Sequence, residues 1–162
     1  MANSMIMFNN NTTQFVLCVR GISIHENQLL LFTTEGIGMD CWALPGGRVE
    51  MKEESEDALR REMQEELGTC VKVGRLVWIV ENFFKDRGRF YHEIGMFYII
   101  TLPRNASIFN TNKYYSTDGG VKLIFRLFPL SELDNIDLRP TFLRKALQKM
   151  PKHPGHIVWK DN

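Results

Sequence analysis

Residues 45–69, PGGRVEMKEESEDALRREMQEELGT, decide how the whole chain is read. The stretch opens on Pro45, Gly46 and Gly47, and glycines there let the backbone approach a ligand and expose amides or carbonyls. The pattern then turns helical. Ser55 stands as an N-cap, Glu56 and Asp57 suit the positive end of a helix dipole, and Leu59, Met63 and Leu67 recur at helical spacing. Gly68 is the expected stop, so a helix is predicted over 56–67. On it Glu65, Glu62 and Glu66 fall at roughly −60°, 0° and +40°, beside an apolar stripe at about 60° to 140°. Three carboxylates therefore fan along the rim of the buried face. Like charges at this spacing cost roughly 0.2–0.5 kcal/mol per pair, and a divalent cation reverses that sign. Clustered hard oxygens suit Mg²⁺ or Mn²⁺ rather than zinc. Taken alone, the helix also reads as a solvated acidic face, with Arg61 paired to Asp57 or Glu65.

Outward from this segment the chain alternates strand-like and turn-like pieces. Phe15–Arg20 and Ile22–Ile24, then Leu29–Phe32 after a polar turn at 25–27, predict a hairpin. Residues 33–40 read as a loop, and Trp42–Leu44 as a short apolar piece. Beyond the helix, 71–80 and 94–102 predict strands around a turn at 86–88. Residues 103–120 are polar and long for a connection in a compact domain, which marks them as functional or mobile. A strand over 121–128, a terminal helix over 141–150 and a short strand at 157–159 complete the order. Strands, helix, strands, helix point to a mixed α/β or α+β sandwich. Residues 1–13 read as a flexible polar leader and 14–162 as one domain.

Composition narrows the function classes. In 162 residues, Lys and Arg (20) almost balance Asp and Glu (19), so no net field favours a nucleic-acid backbone. No apolar run is long enough to span a membrane. Three cysteines without CxxC spacing read as reduced thiols in a cytoplasmic protein. Oligomeric state stays open, a homodimer included.

Gly47, Glu53, Arg61, Glu62, Glu65, Glu66 and Gly68 match Gly-x5-Glu-x7-Arg-Glu-U-x-Glu-Glu-x-Gly-U, where U is bulky and apolar. Seven fixed letters would coincide by chance about once in 10⁸ starting points. On these residues the chain resembles the MutT/Nudix hydrolase family. Met63 fills the first apolar position, Thr69 fills the last imperfectly, and Lys52 stands where a Gly often precedes the first Glu. The resemblance implies an α/β/α sandwich around a mixed β-sheet, and Mg²⁺-dependent hydrolysis of a nucleoside diphosphate linked to another moiety, with Mn²⁺ able to substitute. It implies Glu62, Glu65 and Glu66 as metal ligands, joined by a backbone carbonyl near Gly46 or Gly47. Glu53 resembles a loop carboxylate that meets the metal site or is held by Arg61, and Arg61 orients carboxylates.

The general base is left among Glu62 within the motif and Glu93, Glu81 and Asp118 outside it. Tyr114 and Tyr115, in the polar loop, and Trp42 are candidates to stack on the substrate. Signatures of several subgroups, those acting on ADP-ribose and diadenosine polyphosphates among them, are absent downstream of the motif, which leaves nucleoside triphosphates and related small nucleotides. A Nudix-fold sensor that binds a nucleotide without turning it over is the alternative. An RNA-end hydrolase would need a basic surface that net charge +1 does not supply.

Overall fold

The computed structural model describes residues 5–36 and 41–161. Residues 37–40 of the expected 33–40 loop, and 1–4 of the expected leader, lie outside the described residues. The chain builds two mixed sheets. The first runs in the order β1 (Met7–Asn9), β2 (Thr13–Ile22), β7 (Arg89–Thr101), β6 (Lys72–Asp86), β11 (Gly155–Lys160). The second runs β10 (Asp137–Arg139), β5 (Cys41–Ala43), β4 (Gln28–Thr34), β9 (Val121–Pro129), β8 (Tyr114–Asp118), with β3 (Ile24–His25) paired to β4. One long helix, α1 (Ser55–Leu67), packs on them. No helix among the described residues is long and apolar enough to cross a membrane.

The Leu29–Phe32 run is apolar at every position because β4 serves two cores. Leu30 joins Val19, Leu59, Met63 and Phe125 under α1, while Leu29 and Leu31 join Trp78, Val80, Phe97 and Leu138 on the other side. A strand buried on both faces loses the alternation of a half-buried one.

Four expectations are corrected. The hairpin predicted between 15–24 and 29–32 shrinks to Ile24–His25 against Gln28–Leu29, closed by Glu26 and Asn27 at φ +48° and +62°. The main body of β2 leaves for the other sheet, where it pairs in parallel with β7 over ten positions. Residues within the expected leader form β1, antiparallel to β2. The 103–120 stretch holds a 3₁₀ turn (Ser107–Asn110) and the hairpin strand β8. The terminal helix contracts to α2 (Leu143–Ala146), because the amides that follow it bond three residues back rather than four: Gln148 N to Lys145 O and Lys149 N to Ala146 O. The turn at 86–88 and the final strand form as expected, the latter parallel to β6.

Candidate active site

The Gly46–Gly47 loop is laced along β2 as if it were a further strand. Gly21 N–H donates to Pro45 O (2.8 Å), Val19 N–H to Gly47 O (2.9 Å) and Val49 N–H to Leu17 O (3.0 Å). Strand alternation then turns the amide and carbonyl of Gly46 the other way, toward α1, and its N–H hydrogen-bonds the Glu66 carboxylate. Backbone geometry requires glycine at 46, where φ is +133° and a Cβ would collide with the carbonyl of Val19. At Gly47 a side chain would displace the Glu62 carboxyl group. Gly47 O is already committed to β2, so the Gly46 carbonyl is the better backbone candidate for a metal ligand.

Helix α1 supplies the carboxylates. Its N-cap is Glu54 rather than Ser55, whose hydroxyl is taken by Tyr98 Oη at 2.7 Å. Gly68 ends it in the left-handed region, φ +61°, with its N–H on Gln64 O. Burial follows the wheel: Glu66, nearest the apolar stripe, is 5% exposed and Glu62 9%, whereas the Glu65 side chain, farthest away, is 47% exposed. The pair therefore sits deeper than a rim, in the gap between α1 and the glycine loop. Lys52 adopts φ +66°, the left-handed region, which explains why glycine suits that position.

Arg61 is the hub. Its Nε and Nη2 grip Glu53 at 2.8 and 3.0 Å, its Nη1 reaches Glu62 at 2.8 Å and Glu65 at 3.2 Å, and Nη2 also donates to Arg48 O. The expected Asp57 partner is instead paired with Arg60. Hydrogen bonding to Arg61 holds the Glu53 carboxyl below its usual range. Burial pushes the Glu62 carboxyl up, against the pull of Arg61. Burial and the neighbouring Glu62 push Glu66 up to about 8.

Among the described residues no three carboxylate, imidazole or thiol groups form a ready-made metal cage. The donors present nonetheless fit a hard divalent cation. Glu66 Oε2 is buried with no hydrogen-bond partner, Glu62 lies beside it, and Glu65, half exposed and bridged to Glu62 through Arg61, stands next to them on the helix. Mg²⁺ commonly uses one or two carboxylates and keeps several waters, which such an open set allows.

The linkage sign follows from the raised Glu66 value. A carboxyl whose pKa is raised on folding contributes stability that is complete below its unfolded pKa and lost as pH rises through about 8. Metal-free protein should therefore lose on the order of 3 kcal/mol relative to Glu66→Gln between pH 5 and 8.5, or roughly 6–12 °C in Tm. Melting both proteins in EDTA across that range checks it; a difference in Tm independent of pH would contradict it.

The remaining candidates divide. Asp118 faces the site from β8 and raises both Glu62 and Glu66 electrostatically. Tyr114 lies on the same face of β8, but its hydroxyl reaches Leu67 O (3.5 Å) and its ring packs edge-on to Phe125. Tyr115 alternates outward and is 62% exposed. Trp42 packs against Phe128 (4.6 Å) with the Arg126 guanidinium over its ring, beside the core that does not include α1. Glu81 faces the opposite side of β6 and bonds His156 at 2.8 Å. Glu93 is buried and paired with Arg20 at 2.9 Å. Cys18, beside that pair, is pushed up to about 12 by burial and by Glu93, so it is no nucleophile at neutral pH.

Arg20 escaped the sequence reading. Its signal was an arginine inside the apolar run VLCVRGI at 16–22. It stands close enough to Glu62 and Glu66 to feel both. Together with Glu93 it also lines a cavity of about 410 Å³ that reaches Asn82, Asp137 and Arg139, none of which the sequence singled out.

The sequence model of the NUDIX domain matches residues 3–150. The chain is 44% identical over 66 residues to diphosphoinositol polyphosphate phosphohydrolase 2 of Rattus norvegicus, covering 41% of this chain and 35% of that protein. It is 29% identical over 115 residues to diphosphoinositol polyphosphate phosphohydrolase 3-alpha of Homo sapiens, covering 67% of this chain and 65% of the relative. The match thus spans about a third of the first relative and just under two thirds of the second. Among solved structures, an ADP-ribose pyrophosphatase from Streptococcus suis superposes with TM-score 0.59 at 18% identity, covering 89% of this chain and 98% of that one. A MutT protein from Bacillus halodurans superposes with TM-score 0.58 at 17% identity, covering 90% of each. These two likenesses establish the mixed α+β fold.

Proposed function

This chain belongs to the NUDIX domain family, and from that premise we propose that it is a Mg²⁺-dependent pyrophosphohydrolase of a nucleoside diphosphate linked to another moiety, nucleoside triphosphates included. One observation carries the reading: the unpartnered, buried Glu66 Oε2 beside the Glu62 carboxylate, in a gap that Gly46 and Gly47 keep open. Glu62, Glu66 and the Gly46 carbonyl would hold the cation, with Glu65 completing the set. Bound there, a divalent ion neutralises diphosphate oxygens and lowers the pKa of a water.

The protein's own groups do the rest. Arg61 fixes Glu53, Glu62 and Glu65 in one array, so the carboxylates need not reorganise when substrate arrives. Glu62 is the first candidate to accept the proton of the attacking water at its carboxylate, since burial makes it a stronger base than an exposed glutamate. Glu93 is committed to Arg20, which leaves Asp118 as the better base outside the helix. Tyr114 supports the end of α1, and Tyr115 points to solvent from the face of β8 opposite Asp118, so neither tyrosine is placed to stack on a substrate at the carboxylates.

Thermal shift against a panel, paired with product release, tests the reading. The panel is nucleoside triphosphates, ADP-ribose, a UDP-sugar and a diphosphoinositol polyphosphate. The expected result is a shift and product release together for at least one nucleotide. Shifts without product from any of them would make the chain a sensor module instead.

A further inference from the structure

The face of the first sheet that carries α1 is only half covered. The helix packs over Val19, Tyr98 and Ile100, toward the C-terminal ends of β2 and β7. Beyond it the pairing registers set one side chain from each of the five strands in a single row: Phe8, Phe15, His92, Phe83 and Lys160. Phe15 meets His92 edge-on at 5.2 Å, His92 stacks on Phe83 at 4.3 Å, and the Lys160 ammonium lies over Phe83 at 6.0 Å. Among the described residues, the bulky apolar side chains that this sheet leaves exposed are Phe8, Ile79, Phe90 and Val158, and strand alternation puts all four on this face. A sheet face that stays in water alternates to polar side chains, and this one does not.

Two complementary shapes lie on it. A groove of about 630 Å³ opens among Phe8, Phe15, Phe83 and Phe90, lined also by Lys85 and Lys160. Beside the groove, exposed Ile79 and Val158 project from β6 and β11, and Glu81 stands in register with Val158. The charges are opposite. Glu81, held by His156 at 2.8 Å, belongs to the projecting part, whereas Lys85 and Lys160 belong to the groove. Asp161, the carboxylate that lines the groove, is already bonded by Thr141 N–H and Trp159 Nε1–H. Such a surface is complementary to itself: a two-fold axis in the plane of the face lowers each ridge into the facing groove and sets Glu81 toward the facing lysines. The area also suffices. Five strands at about 4.8 Å and seven residues at about 3.3 Å make a face of roughly 24 by 23 Å. Side-chain relief raises the accessible area of such a face toward the ~800 Å² that each partner of a stable complex buries.

We propose that this face is the interface of a homodimer, in which the β6–β11 ridge of each copy fills the aromatic groove of the other. A single-stranded nucleic acid is the competing occupant, since rings and ammonium groups also suit bases and phosphates. Glu81 on the face and a net charge of +1 count against it. The interface is separate from the α1 carboxylates, so it stands whether or not they hydrolyse a diphosphate.

Sedimentation equilibrium of the full chain, from nanomolar to micromolar concentration, measures the association directly. The wild type should reach twice the chain mass. Val158→Lys, at an exposed position, should melt like the wild type and weaken the dimer about tenfold or more, because it brings a cation toward the lysines of the groove. Glu81→Lys should weaken it too, and so should Lys85→Glu combined with Lys160→Glu. All three exchanges together restore opposite charges and should recover most of the lost affinity, as coupled sites do. A wild type that stays monomeric, a dimer indifferent to Val158→Lys, or a full exchange no better than its parts would each overturn the proposal. So would a monomer that binds oligouridylate and loses that binding in Lys85→Glu/Lys160→Glu, which would give the face to a nucleic acid.

Discussion

Glu66→Gln and Glu62→Gln should each lower kcat about a hundredfold or more on the best substrate, a loss of at least ~3 kcal/mol of transition-state stabilisation. The amide keeps the volume of the side chain, so Gly47 still clears it and the loop along β2 stays in place. What disappears is one negative charge, either at the unpartnered Glu66 Oε2 or at the Glu62 carboxylate held by Arg61. Neither variant should be less stable in the absence of metal at pH 8, because the repulsion between the two buried carboxylates is relieved. Loss of activity together with loss of fold would point to a structural role. Near-normal turnover in both would place the chemistry elsewhere. Steady-state kinetics beside melting curves separates these outcomes.

The local geometry of the candidate site was more legible in the sequence than the pairing of the sheets. Its residues lie within one loop and one helix, so local rules govern them. Helical spacing ordered Glu65, Glu62 and Glu66 by angle, and their exposures fall in that order. Glycines at 46 and 47 suit backbone that approaches a ligand; what the fold adds is that Gly46 abuts the Val19 carbonyl and Gly47 abuts the Glu62 carboxyl group. Arg61 was foreseen as an organiser of carboxylates but not in its full set of partners. Its grip on Glu53 spans eight residues of loop and helix start, which no helical wheel describes.

Long-range pairing was the illegible part. The parallel pairing of β2 with β7 joins Thr13 to Phe90 and Ile22 to Ile99, and no local pattern announces a partner so distant in sequence. The neighbouring apolar run at 29–32 looked like a hairpin partner because burial on both faces hides the alternation that would have shown where it belongs. The same limit hid Arg20, Asn82 and Arg139, which meet only once both sheets are assembled. In the 103–120 stretch, Tyr114 and Tyr115 seemed equivalent by composition. Strand alternation in β8 separates them, turning one toward α1 and the other to solvent.

Metal dependence is the second large effect, and it bears on the central claim that Glu62 and Glu66 hold the cation that hydrolysis requires. Diphosphate hydrolysis should fall at least about a thousandfold in EDTA and return on adding Mg²⁺ or Mn²⁺, since the cation neutralises the diphosphate and activates the water. The most direct measurement is a Mn²⁺ titration of EDTA-stripped, nucleotide-free protein, read by electron paramagnetic resonance alongside turnover. Wild-type protein should bind Mn²⁺, activity should rise with occupancy, and Glu62→Gln and Glu66→Gln should each weaken binding tenfold or more. Full-rate hydrolysis in EDTA, or Mn²⁺ affinity untouched in both variants, would contradict the account.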